Sequence, residues 1–214
     1  DYDTLREEQK YLRQSGILMG IGLACFLDKS GTGSSRNLAT KGGLHGGYES
    51  ANVRMHSDGK VTIFSGSHSH GQGHDTAFCQ IAADVLGLEI NDIELVQGDT
   101  DRVPFGNGTW GSRSASVGGP AIVLAAEKVR DKAIKLAAHV LECSVTDVMC
   151  NSGRFSVKGT DRNISIEEIA DISYHGSNLP PDGSVSPGLD ETVFYEPEDT
   201  NDPQAMHLAV VIVD

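Results

Sequence analysis

The chain has 214 residues, 38% hydrophobic and 22% charged, which is enough apolar material for one substantial domain or two small ones with a buried core. A formal net charge of -13 argues against a nucleic-acid surface, which would need a basic stripe, and against an anionic membrane surface. These residues contain no apolar run of the roughly 20 residues that a membrane span requires, and none of them reads as a signal peptide. Four cysteines, Cys25, Cys79, Cys143 and Cys150, lack C-x-x-C or zinc-knuckle spacing, so free thiols in a reducing compartment are expected. The charged opening DYDTLREEQKYLRQSG reads as a start inside a longer protein.

In chain order, residues 3–14 predict a helix ended by Gly16. The segment 17–28, ILMGIGLACFLD, is apolar on both faces and predicts a buried strand. A Gly/Ser-rich loop over 29–46 follows, then two strands around the Ser57-Asp58-Gly59 turn. From Asp75 the period becomes helical: Phe78, Ile81, Ala82, Val85 and Leu86 share one face, and Gly87 stops it. Residues 93–99 predict a short strand, and a long glycine-rich loop leads to a helix over 120–142 with Pro120 in its first turn. A strand pair around Asn151-Ser152-Gly153, a short helix at SIEEIADI, a loop over 177–188 and a last strand over 207–214 complete the chain. Strands and helices mix without strict alternation, which predicts an α+β fold: a two-layer mixed sheet packed with helices. The expected division is a lead-in helix 1–16, a core 17–176 and a C-terminal extended segment 177–214.

Two glycine-rich loops each run directly into a helix: GSHSHGQGHDT into the helix after Asp75, and GNGTWGSRSASVGG into the helix after Pro120. A helix start presents unpaired N–H groups and partial positive charge, and glycines let an anion approach closely. The pair predicts a ligand with several phosphates or other oxyanions, with Gln72, Ser112 and Ser114 as polar contacts and Arg113 as a clamp. The plainer reading is two connections whose Ser and Asp residues cap helices. Trp110 either stacks on a ligand ring or anchors its loop. Asp99 and Asp101 suggest a magnesium pair or, more simply, an acidic turn after a strand. The alternative function rests on His68, His70 and His74, whose spacing would suit zinc in a metal-dependent hydrolase or a zinc-binding module.

The motifs GQGHDTAFCQIAADVLG, DTDRVPFGNGTWGSRSASVGG and FYEPEDTNDPQAMHLAVVIVD resemble the large, molybdenum-binding subunit of the molybdenum hydroxylases, the xanthine dehydrogenase and aldehyde oxidase family. Within it they resemble the carbon monoxide dehydrogenase and bacterial aldehyde dehydrogenase large chains. The resemblance runs over 1–214 and implies a central fragment of a molybdopterin-binding domain. It implies that Gln72, Gly73, His74, Asp75 and Thr76 hold the pyrophosphate and pterin side of a molybdopterin cytosine dinucleotide cofactor carrying molybdenum. It also implies that Gly111, Ser112, Arg113, Ser114 and Ala115 wrap that cofactor near the metal, the backbone of Ala115 approaching it, with no side-chain ligand to molybdenum. The parent enzyme implied oxidises carbon monoxide, an aldehyde or an N-heterocycle with water as oxygen source. Its partners would be an FAD-binding medium subunit and a 2Fe-2S small subunit, in the cytoplasm or, for some members, the periplasm. The general-base glutamate is expected downstream of residue 214, so no catalytic residue is expected within the chain, and the fragment alone is expected to be inactive.

Overall fold

The computed structural model describes residues 1–213 apart from His45. The first elements are α1 (Tyr2–Gln14), β1 (Leu18–Leu27), α2 (Ser35–Thr40), β2 (Glu49–Met55) and β3 (Val61–Ser65). Next come α3 (His74–Leu86), β4 (Ile93–Gln97), α4 (Gly119–Val140), β5 (Val148–Asn151) and β6 (Arg154–Val157). The last are β7 (Asn163–Ser165), α5 (Ile166–Tyr174), β8 (Leu189–Tyr195) and β9 (Gln204–Val213). They form two compact units, Asp1–Ser30 with Asp202–Asp214, and Gly31–Asn201. That division differs from the expected one because the two ends of the chain pair with each other.

In the first unit β1 and β9 run antiparallel from Leu18↔Val213 to Leu27↔Gln204. Gln9 of α1 donates through Nε2 to Met19 O at 2.6 Å. The strand at 18–27 forms as expected, but its burial does not: Met19 is its one buried residue. Alternation and apolarity specify a strand, whereas burial needs a second layer, which a two-stranded ribbon does not supply by itself.

The second unit is built on a mixed sheet in the order β4-β3-β2-β8. β2 pairs antiparallel with β3 and with β8, while β3 and β4 are parallel. The β2–β3 hairpin turns at Ser57-Asp58-Gly59 as the sequence indicates. A parallel pair cannot be joined by a tight turn, and α3 makes the crossover. Val53, Met55 and Ile63 of the sheet pack in one core with Phe78, Ala82 and Leu86 of α3 and Ile122, Ala125 and Val129 of α4. The alanines of α4 leave little bulk between helix and sheet, which lets both layers close. This is the α+β, two-layer mixed-sheet fold with helices packed on it.

β5, β6 and β7 form a small antiparallel sheet, and α5 follows from a capping box. Ser165 Oγ accepts from Glu168 N at 3.2 Å, and Glu168 Oε2 accepts from Ser165 N at 2.9 Å. Ser165→Ala removes one of these bonds and is expected to cost about 1 kcal/mol. A denaturant midpoint equal to wild type would contradict that. Three elements lie outside the sequence expectations: α2 inside the supposed 29–46 loop, capped by Ser34, β7 as a third strand of the small sheet, and the edge strand β8.

Candidate cofactor-binding site

β3 and β4 end side by side, with Ser65 opposite Gln97. The two glycine-rich loops therefore leave the same sheet edge, at the carboxyl ends of adjacent parallel strands, where open α/β sheets place their ligands. The loops touch through backbone. A Cβ added at Gly66 would lie 2.6 Å from Gly106 Cα and still nearer to Phe105 O and Glu49 Oε1. His68 N donates to Thr109 Oγ1 at 3.0 Å, and that hydroxyl lies 3.0 Å from Ser114 Oγ. Asn107 Nδ2 donates to Tyr48 O at 2.9 Å, tying the second loop to the chain entering β2.

The first loop delivers α3 with an open amino end. Gly73 is its N-cap at φ 81°, and no side chain caps the helix. A residue with a Cβ avoids this left-handed region, and the space where a Cβ would stand at Gly73 is clear of neighbours. The first-turn N–H groups have no intrahelical acceptor. Gln72, Gly73, Asp75 and Thr76 are exposed around that end. Gln72 Oε1 accepts from His70 N at 2.5 Å, so its amide nitrogen is the group presented outward. His74 turns inward and is 4% exposed. Its ring stacks on Phe78 with centroids 4.5 Å apart, and Nδ1 donates to Gln97 Oε1 at 3.2 Å.

The second loop turns sharply before α4. Gly111 and Ser112 have φ of 58° and 56°, and the chain then enters a π-helical turn over Ser114–Gly118. For serine this conformation costs about 1 kcal/mol or more and persists only when the surroundings impose it. Wide helical turns of this kind recur at functional sites. Arg113, between these two features, is 1% exposed and forms an ion pair with Glu49, 0% exposed, at 2.6 Å. Burial pushes the Glu49 carboxyl above its ordinary range, and the Arg113 guanidinium pulls it back. Trp110 donates through Nε1 to Asn107 O at 2.9 Å, and its ring lies 5.8 Å from the Arg113 guanidinium carbon. It anchors the loop from within.

The profile of the molybdopterin cofactor-binding domain family matches residues 1–214. The chain belongs to this family. It is 39% identical over its whole length to the carbon monoxide dehydrogenase large chain of Hydrogenophaga pseudoflava, of which it covers 26%. It is 34% identical, again over its whole length, to the nicotine 6-hydroxylase large subunit of Paenarthrobacter nicotinovorans, covering 26% of it. The crystal structure of quinoline 2-oxidoreductase from Pseudomonas putida 86 superposes with a TM-score of 0.81 at 33% identity, over 99% of this chain and 27% of that one. This molybdopterin cofactor-binding domain thus spans about a quarter of the length of these relatives.

A molybdopterin cofactor is rich in oxyanions and hydrogen-bonding edges, and the domain offers groups that fit it. Besides the open end of α3, the buried atoms Thr32 Oγ1, Ser67 Oγ, Ser116 Oγ and His74 Nε2 make no hydrogen bond among the described residues. Buried polar atoms of this kind call for a partner. The zinc alternative fails. Among the described residues no group of three or more His, Cys, Asp or Glu side chains is placed to hold a metal. His68 and His70 are exposed with rings 5.4 Å apart, while His74 is held inside by Phe78 and Gln97. Arg113, expected as a phosphate clamp, has its cation paired with Glu49. Glu49, Thr32, Ser67 and Gln97 were not singled out from the sequence. Glu49 alone carried a signal, as the one carboxylate of a strand whose other residues are neutral or basic.

Proposed function

We propose that this domain holds the dinucleotide end of a molybdopterin cytosine dinucleotide in the large subunit of a molybdenum hydroxylase. The observation that carries the reading is the convergence of both loops at the carboxyl ends of β3 and β4, beside the uncapped amino end of α3. Backbone N–H groups at Gly73, His74 and Thr76 would receive the pyrophosphate, with the Gln72 amide donating beside them. Asp75 repels phosphate, so its carboxylate is assigned to hydroxyl or amino groups of the ligand. Gly111, Ser112, Ser114 and Ala115 would wrap the pterin side through backbone and hydroxyl groups. When bound, the cofactor supplies two-electron oxidation with water as the oxygen source. Proton transfer is assigned to a glutamate outside these residues. The parent enzyme is proposed to oxidise carbon monoxide, an aldehyde or an N-heterocycle and to pass electrons to 2Fe-2S and FAD subunits in the cytoplasm.

Two variants of the full-length protein test the cradle. Gly73→Val forces a β-branched side chain into the left-handed region and into the space an anion would use. It is expected to lose most of the bound molybdenum and cytidine, since several charge-assisted bonds of about 1.5–3 kcal/mol each depend on close approach. His74→Ala removes one inward-facing ring and leaves the backbone donors, so it retains more of both. Greater loss from His74→Ala than from Gly73→Val would overturn the backbone cradle.

A further inference from the structure

We propose that Glu49 and Arg113 form a buried latch that holds the 111–114 turn in its anion-receiving shape, making Arg113 a positioning residue that touches no ligand. This rests on the cofactor reading above. The guanidinium directs its donors inward. Nη1 donates to Glu49 Oε2 at 2.6 Å and to Gly108 O at 2.8 Å. Nη2 donates to Tyr48 O at 2.5 Å and to Gly47 O at 3.2 Å. Nε is buried and makes no hydrogen bond among the described residues. The Nη donors are therefore all engaged by the protein, and the unpaired Nε is buried and does not face outward.

The acceptors belong to separate parts of the site. Gly47 and Tyr48 lead into β2, Glu49 is its first residue, and Gly108 lies earlier in the same loop. One planar fork thus closes the loop on itself and pins it to the sheet, which a point charge does not do. A second tie runs beside it: Ser50 Oγ donates to Phe105 O and accepts from Phe105 N. Between Gly108 and Arg113 the chain has to pass through positive φ at Gly111 and Ser112. Gly31 N donates to Gly111 O at 2.8 Å, fixing the other end of that turn. Held at both ends, the strained conformation becomes the one available, and the helical turn beginning at Ser114 opens its first N–H groups on the outer side. A buried pair is a poor source of stability compared with apolar packing, so its use here is understood as geometry.

Glu49→Gln in the full-length holoprotein keeps the side-chain size, removes the charge and alters no group exposed to ligand. It is expected to lower molybdenum and cytidine content about tenfold. In cofactor-stripped protein it is expected to speed hydrogen exchange at residues 111–114 by about tenfold or more, while the middle of α4 keeps its protection. Arg113→Lys keeps a cation beside Glu49, so the fold stands, but it loses the fork and shows the same two effects. If Arg113 were instead a ligand, lysine would retain the anion contact, and Glu49→Gln would free the guanidinium and hold cofactor as tightly as wild type. That result overturns the latch, as does an increase in exchange spread evenly along α4. Wild-type protein without molybdenum and cytidine would overturn the cofactor reading, while exchange at 111–114 would still decide the latch.

Discussion

Gly66→Ala is expected to lower the melting temperature by about 6–12 °C, equivalent to about 3 kcal/mol for a domain of this size. The single added carbon would meet Phe105 O, the Gly106 backbone and the Glu49 carboxylate. Two of these are main chain and the third is locked to Arg113, so none can swing aside as a flexible side-chain tip would. The loops must separate, and Ser50 then loses its two bonds to Phe105. Cofactor content should fall together with stability, because both halves of the cradle meet at this crossing. Melting within about 2 °C of wild type would show that the loops can part at little cost.

Arg113→Ala is expected to cost about 3–5 kcal/mol, because it leaves a buried carboxylate without its counter-charge and takes donors from three carbonyls, of which Tyr48 O keeps another, from Asn107 Nδ2. The loss depends on pH in a defined direction. Burial already raises the Glu49 carboxyl above its ordinary value of 4.5, against the pull of Arg113, and removing that pull raises it further. A group whose folded value is raised contributes stability that is complete below the unfolded value and is lost as pH rises through the folded one. The deficit of the variant relative to wild type should therefore be smallest near pH 4.5 and grow as pH rises. Urea denaturation of both proteins at about pH 4.5 and about pH 7.5 measures it. A deficit that is constant, or larger in acid, would mean that Glu49 is not the group left stranded.

The sequence made the first loop legible because its features are local. A polar glycine run between an apolar strand and a helical period places a helix start at Asp75, and in the structure the helix begins one residue earlier, at His74, with Gly73 as its N-cap. The second loop was legible as a turn before α4 but not in its chemistry. A single arginine among serines and glycines suggests an exposed cation, since arginine is seldom buried without a partner. The partner is Glu49, 64 positions away, and the pairing of β2 with β3 and of β3 with β4 brings the two together. The His68, His70 and His74 cluster failed for a similar reason. Spacing sets which residues lie near one another, but Gln97, which accepts from His74 and helps draw it inward, comes from β4, while Phe78 stacks on it from one turn further along α3. β8 escaped notice because DETVFY mixes charges into an edge strand whose one paired neighbour, β2, supplies the order.

The β1–β9 ribbon has a consequence for the way the protein comes into being. Its strands stand at opposite ends of the chain, so each rung closes a loop nearly as long as the whole sequence, and such contacts form slowly. The β2–β3 hairpin and the β3-α3-β4 crossover close short loops and can assemble while synthesis continues. The backbone edge of Leu18–Leu27 leaves the ribosome before β9 and lacks that partner strand until Gln204–Val213 emerge. That interval is when the nascent chain is most exposed to aggregation and most in need of a chaperone. Pulse-labelling exchange during refolding should accordingly show protection at 49–65 before any at 18–27.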